Sequence, residues 1–228
     1  MLKNRLKKTL TVDCVVFGPQ ENENLVLLIQ RGKAPFKGKW ALPGGFLEEG
    51  EELEDCARRE LKEETGLTNV FLKQFHTFSK LSRDPRGHVI TTAYYAVVRP
   101  GHFTLKATED AKNARWFPLE KIPPLAFDHD KILKEGIKSM RQKIIRSSSI
   151  FEILPASFSL TQLQQSLEVL LKEKLDKRNF RKKILSYSFL EDTGERTSGL
   201  KQRPAMLYRF KKKNFKKEFE EDLRLNLI

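Results

Sequence analysis

Cysteine is nearly absent, with Cys14 and Cys56 the only two in 228 residues. A disulfide scaffold is thereby excluded. Both sit within segments that read as regular structure, so they are expected as buried free thiols of a reducing cytoplasm. The four histidines are scattered, and no Cys/His spacing fits a zinc site. No apolar run approaches the ~20 residues of a membrane span. The basic start, Met1 to Lys8, is followed by a short stretch, Leu10 to Phe17, that carries Asp13 and lacks a small-residue cleavage site, which does not fit a secretory signal.

The chain has 39% hydrophobic and 10% aromatic residues, enough for a packed core, and its length allows one large or two small domains. Its net charge is +13, which predicts attraction to nucleic acid or an anionic surface. The basic residues concentrate in Lys172 to Lys183 and Arg209 to Lys217.

One segment is far more specific than composition. Gly45, Glu51, Arg59-Glu60-Leu61, Glu63-Glu64 and Gly66-Leu67 stand at fixed spacing, a combination that chance produces at less than roughly 10^-8 per position. Pro43-Gly44-Gly45 marks a turn. Glu51 to Thr65 is rich in helix formers and free of Gly and Pro, and Gly66 stops it. On that helix Leu53, Cys56, Ala57 and Leu61 share one side, with Glu60, Glu63 and Glu64 in the same sector, while Asp55, Arg58 and Lys62 lie opposite. Glu52, Glu54 and Asp55 read as an ordinary solvated face. Three inward carboxylates repel one another unless a cation joins them. Oxygen-only ligands suit Mg2+, with Mn2+ as a substitute, and such an ion bridges to phosphate oxygens.

This segment resembles the signature box of the Nudix hydrolases, which cleave nucleoside diphosphates linked to another moiety. The resemblance implies that Glu60, Glu63 and Glu64 bind metal with the Gly45 carbonyl, and that Arg59 pairs with Glu51 to hold helix against loop. The general base is left open between Glu63 or Glu64 in the box and Glu109 or Asp110 before Trp116. Strands are predicted at Thr11 to Phe17, Leu25 to Gln30, Val70 to Phe78, His88 to Val98 and Ala114 to Phe117, and Trp40-Ala41-Leu42 leads into the glycine pair. With an amphipathic helix over Asp130 to Ile145, they make an α/β sandwich with a mixed sheet.

Arg146-Ser147-Ser148-Ser149 breaks the periodicity and divides the chain into expected domains at 1–148 and 149–228. Beyond it, Ser159 and Gln162 form a capping-box pattern ahead of a helix with Leu163, Leu167, Leu170 and Leu171 on one face. After a short connection Asp176 caps a second helix to about Tyr187, with Phe180, Ile184 and Tyr187 inward. Leu190 to Thr193 and Arg203 to Phe210 follow as strands around a polar loop. Helix, turn, basic helix and hairpin is the layout of a winged helix-turn-helix. Lys177, Arg178, Asn179, Arg181 and Lys182, with Arg196, Lys201 and Arg203 from the wing, are then candidates to contact double-stranded DNA. The competing reading is a solvated, charged dimerisation appendage.

Leu175 to Ile184, Thr193-Gly194-Glu195 and Arg203-Pro204-Ala205 resemble the carboxy-terminal domain of the Nudix-related transcriptional regulators of NAD metabolism. Arg83-Asp84-Pro85-Arg86-Gly87 and Ala126-Phe127-Asp128-His129 resemble the same group and its ADP-ribose-hydrolysing relatives. Many of those regulators have an eroded box, whereas every ligand position is kept here, which argues for retained hydrolysis. Arg31, Phe46, Arg83, Arg86 and Glu109 are candidate contacts for a nucleoside diphosphate such as ADP-ribose, and Phe36, Phe46 or Tyr95 for stacking a base. The resemblance further implies a homodimer.

Overall fold

The computed structural model describes residues 9–20, 22–103, 105, 111–144, 148–197 and 204–211. Glu109, Asp110, Lys201 and Arg203 lie outside the described residues. Contacts divide the chain into two compact units, residues 1–18 with 25–140 and residues 19–24 with 141–228.

The first unit is a mixed sheet between helices. Its strands are β1 (Thr9–Gln20), β2 (Glu23–Arg31), β3 (Trp40–Ala41), β4 (Lys73–Phe78), β5 (Val89–Val97) and β6 (Ala111–Pro118). They form a sheet in the order β3-β2-β1-β5-β4, with β6 also pairing to β2. Strands β1 and β5 run parallel, and the β2–β6 and β4–β5 pairs are antiparallel.

β1 is apolar on both faces because both are covered. Val12, Cys14 and Val16 are buried in one core with Cys56, Ala57 and Leu61 of helix α1 (Leu53–Thr65). Val15, on the opposite face, lies against Gly136 of helix α2 (His129–Lys143). Asp13 shares that second face by strand alternation. Cys14 and Cys56 are buried free thiols. Helix α1 ends at Gly66 in the left-handed region, φ 78°, whose N–H reaches the Lys62 carbonyl.

Differences from the sequence reading are local. Helix α1 starts at Leu53, because Glu52 is extended at the N-cap and the Glu51 carboxylate is occupied by Arg59. Strand β4 begins at Lys73, while Val70 and Leu72 bury themselves from the preceding loop. Among the described residues no helix is long and apolar enough to cross a membrane.

The second unit holds helices α3 (Leu160–Leu171) and α4 (Lys177–Ile184) and strands β7 (Phe158–Ser159), β8 (Leu190–Arg196) and β9 (Met206–Phe210), in the order β7-β9-β8. Ser159 caps α3 reciprocally: its Oγ accepts from Gln162 N–H at 3.2 Å, and its own N–H donates to Gln162 Oε1 at 2.8 Å. Leu163, Leu167 and Leu170 pack inward, as do Phe180 and Ile184 of α4. One carboxylate organises the turn between the helices. Glu168 accepts from Gln164 Nε2 at 2.9 Å, Leu175 N–H at 3.0 Å and Lys174 Nζ at 3.1 Å. Asp176 then caps α4, its Oδ1 accepting from Asn179 N–H at 2.7 Å.

Helix α4 ends at Ile184, short of Tyr187, whose ring instead stacks on buried Phe189 at 5.2 Å. Strand β8 runs through Gly194 because a register shift between Asp192 and Arg196 absorbs that residue at φ 74°. The two-residue strand β7 was too short to carry a period.

Candidate active site

The glycine loop and α1 converge on an open cleft of about 440 Å³ in the first unit. Gly44 and Gly45 are required by contact. A Cβ on Gly44 would strike the Val12 carbonyl, and one on Gly45 would strike Glu60 Oε1. Gly44 N–H donates to Glu64 Oε2 at 2.9 Å, and the Gly45 carbonyl accepts from Val12 N–H at 2.9 Å. A carbonyl has a second lone pair, so the latter bond does not use up Gly45 as a ligand.

Arg59 spans the box. Its Nε and Nη2 meet the two oxygens of Glu51 at 2.9 and 3.0 Å, and Nη2 also reaches the Phe46 carbonyl at 3.1 Å. Its Nη1 donates to Glu60 at 2.9 Å and to Glu63 at 3.2 Å. The bidentate bond holds the Glu51 carboxyl down at about 2, and raises the Arg59 pKa further above its ordinary range.

The three later glutamates are not equivalent. Glu64 is buried, and burial pushes its carboxyl up to about 8, against the pull of the Gly44 N–H. Burial also raises Glu60. Glu63 departs from the inward placement expected of it: its side chain is 56% exposed and stands at the cleft margin. The helix face that bears these carboxylates opens onto a cleft, so one sector holds both buried and exposed groups. Among the described residues no three acidic, histidine or cysteine side chains form a ready-made metal cage. The reason is visible in the bonds, since Arg59 holds Glu60 and Glu63 while Glu64 turns to Gly44.

The far wall is basic. Arg31 donates to the Pro35 carbonyl at 2.8 Å and lies over the Phe127 ring at 4.8 Å. Burial, and then Arg86, lower its pKa. Arg86 makes a two-point contact with Asp84 at 3.0 and 2.6 Å.

Arg83, expected beside Arg86 as a ligand contact, lines the same cleft with its guanidinium held by carboxylates. It is buried at 6% exposure and bridges Asp13 at 3.3 Å and Asp128 at 2.8 Å. A guanidinium neutralised by two carboxylates anchors the wall. Its neighbour His129 accepts from Leu42 N–H at Nδ1, 2.9 Å, which places the imidazole proton on Nε2, toward Asp13 at 3.4 Å. Burial holds the His129 pKa below its usual value.

Of the rings proposed for stacking, Phe36 and Phe46 are exposed, 41% and 42%. Tyr95 is fully buried and has no face for a ligand. Phe127, not singled out by sequence for this purpose, lines the cleft instead. Its signal was the Ala126 to His129 run, which gave no hint of what the ring would meet.

In the second unit Lys177, Arg178, Asn179 and Lys182 are exposed on α4. Arg181 is turned back, donating to Thr161 Oγ1 at 3.3 Å. On the hairpin, Glu191 pairs with Arg209 and Lys211.

The Nudix domain family matches residues 7–136, and the NrtR DNA-binding winged helix domain matches residues 150–210. The chain belongs to the Nudix family, with an NrtR-type winged helix joined to its Nudix domain. It is 34% identical to the ADPR responsive transcriptional repressor NtrR of Acinetobacter baylyi, over 88% of this chain and 81% of that one. It is 48% identical to the ADP-ribose pyrophosphatase of Methanocaldococcus jannaschii, over 54% of this chain and 72% of that one. A crystal structure of Shewanella oneidensis NrtR complexed with a 27mer DNA is similar at a TM-score of 0.74 and 32% identity, covering 91% of this chain and 95% of that one.

Proposed function

We propose that this chain is a Mg2+-dependent hydrolase of ADP-ribose or a similar nucleoside diphosphate sugar, joined to a domain that binds double-stranded DNA. The observation that carries the reading is the complete box in its folded form: Glu60 against Gly45, Glu64 on Gly44 N–H, and Arg59 locked to Glu51.

The donor set fits a hard divalent cation. Glu60, Glu63, Glu64 and the Gly45 carbonyl offer oxygen alone, which suits Mg2+ or Mn2+. The two carboxyls raised by burial fit it too, because a cation offsets the cost of ionising them there. When bound, the ion neutralises phosphoryl oxygens and activates water. Arg59 positions Glu60 and Glu63, and Arg31 faces the diphosphate charge from the opposite wall. A water oxygen bonds to one phosphorus as the bridging P–O bond breaks, and the water proton passes to the Glu63 or Glu64 carboxylate. ADP-ribose would thus give AMP and ribose 5-phosphate. Product analysis on purified protein with Mg2+ tests this, and no turnover across a panel of nucleoside diphosphate derivatives by folded protein would sink it.

A second reading stands on α4: an ADP-ribose-responsive repressor acting as a dimer on a near-palindromic site. The exposed Lys177, Arg178, Asn179 and Lys182 and the 34% identity to a repressor over both domains support it. The two readings combine, since hydrolysis of an effector resets its sensor. A gel-shift titration with and without ADP-ribose tests it. Binding without sequence preference that collapses steeply with salt would leave only a basic surface.

A further inference from the structure

Three consecutive residues of β1 serve the loop that leads into the box. The N–H groups of Val12 and Cys14 hold the Gly45 and Pro43 carbonyls at 2.9 and 2.8 Å. Asp13, between them, reaches the same loop from the other face through His129. Its Oδ1 lies 3.4 Å from the ring's Nε2, and Nδ1 accepts from Leu42 N–H at 2.9 Å. The hydrolytic roles assign nothing to this relay.

The imidazole occupies the place of a backbone carbonyl. Trp40 forms a parallel bridge with Leu125, and its carbonyl accepts from Ala126 N–H at 2.8 Å. One step further, a parallel ladder would send Leu42 N–H to the Ala126 carbonyl. That carbonyl instead accepts from His129 N–H at 3.2 Å, where the chain turns into α2. Leu42 is 1% exposed, and a buried N–H without an acceptor is rarely tolerated. His129 supplies the acceptor. Its face lies 5.3 Å from the Phe127 ring, and Asp13 is fixed in turn by Arg83 at 3.3 Å, so the imidazole has little freedom to turn away.

We propose that His129 is a positioning residue for the cation site: through the Leu42 amide it sets where the Gly44 N–H and the Gly45 carbonyl stand, and so how tightly the box holds a divalent ion. The inference rests on reading the box as a site for such an ion. Between Leu42 and the glycine pair stands only Pro43, whose ring fixes its φ, so a shift at Leu42 is passed on to the glycines. They have no room to absorb it. Gly44 lies against the Val12 carbonyl and Gly45 against the Glu60 carboxylate, while Gly44 N–H holds Glu64 at 2.9 Å. Side chains that touch no ion but orient its ligands change affinity by roughly ten- to a hundredfold when removed.

The test is calorimetric titration of the full-length protein with Mn2+ alone, and two variants separate the ring nitrogens. His129→Asn puts an amide oxygen at the Nδ1 position and keeps the acceptor for Leu42. His129→Gln puts its amide NH2 at the Nε2 position, toward Asp13, and leaves Leu42 N–H with no acceptor. His129→Asn is expected to hold Mn2+ within about threefold of wild type, and His129→Gln to bind it about tenfold or more weaker. A role in packing alone would lower the unfolding midpoint of both variants without separating their Mn2+ affinities, and equal affinities would overturn the proposal. If His129→Gln does not fold, wild-type protein still decides, because the ion must strengthen the Leu42 bond by as much as the bond strengthens ion binding. Saturating Mg2+ should then slow hydrogen exchange of the Leu42 amide more than that of the Arg31 amide, which is bonded to the Lys39 carbonyl. Equal slowing of the two, or none, would overturn it. Wild-type protein that binds Mn2+ no better than His129→Gln loses the positioning role alone. Folded wild-type protein that binds no Mn2+ loses the cation reading and the positioning role with it.

Discussion

Glu60 is seated against Gly45 so closely that no side chain fits between them. The glycine is thus a steric requirement of the carboxylate. Gly45→Ala is expected to displace Glu60 and reduce turnover by at least about a hundredfold, as for misplacement of a positioned group. Steady-state kinetics with ADP-ribose reads this, and near-normal turnover would show that Glu60 needs no such seat.

Metal should act on one unit and not on the other. Adding Mg2+ is expected to raise the unfolding midpoint of wild-type protein, because it binds the folded state alone. Glu60→Gln and Glu64→Gln should each shrink that rise and lower turnover by orders of magnitude. EDTA should stop hydrolysis while leaving a gel shift in place.

Acid should act on the fold through three groups. His129 has a folded pKa below its ordinary 6.5, so the unfolded chain takes up the proton first and the His129 contribution falls as pH drops below that value, whereas Glu64, raised to about 8, contributes in the opposite sense, gaining as pH falls from there toward 4.5. Glu51 is the depressed carboxylate: its contribution is complete above 4.5 and is lost as pH falls toward about 2. Glu51→Gln should therefore flatten the thermal-unfolding profile between these last two values and leave the upper range alone. An unchanged slope there would mean that the Arg59 pair adds nothing to folding.

DNA affinity should depend on α4 more than on the strands. Arg178→Ala and Lys182→Ala are expected to weaken operator binding, each lowering the salt slope by about one unit if it meets a phosphate. Arg209→Ala should change little, since Glu191 already holds that guanidinium. A larger loss from Arg209→Ala would move the interface to the hairpin.

Ser159→Ala removes the side-chain half of a reciprocal cap, leaving the backbone N–H on Gln162, and should lower the stability of the second unit by about 1 kcal/mol, measurable by denaturant titration.

What the sequence made legible was short-range. The α1 periodicity, the Gly66 stop, the Ser159–Gln162 box and the Asp176 cap each lie within one or two turns of chain, where spacing fixes geometry. Groups brought together over distance were not legible. Arg83 finds Asp13 and Asp128 across 70 and 45 residues, so its Pro-Gly loop looked like a place for a free guanidinium. Phe127 meets Arg31 and Arg86, and no local pattern joins those three. Glu63 shows a third limit, because helical angle gives a direction and not whether protein or open cleft lies that way.

Glu168 has a consequence for DNA reading although it lies on α3. By gathering Gln164, Lys174 and the Leu175 N–H, it fixes the bend from which α4 departs. The aim of the basic helix is set by a negative charge that has no reason to touch a duplex. A change at Glu168 would leave every phosphate-binding group present but misdirected, and would register as blurred discrimination between operator and random DNA before it registered as weaker binding.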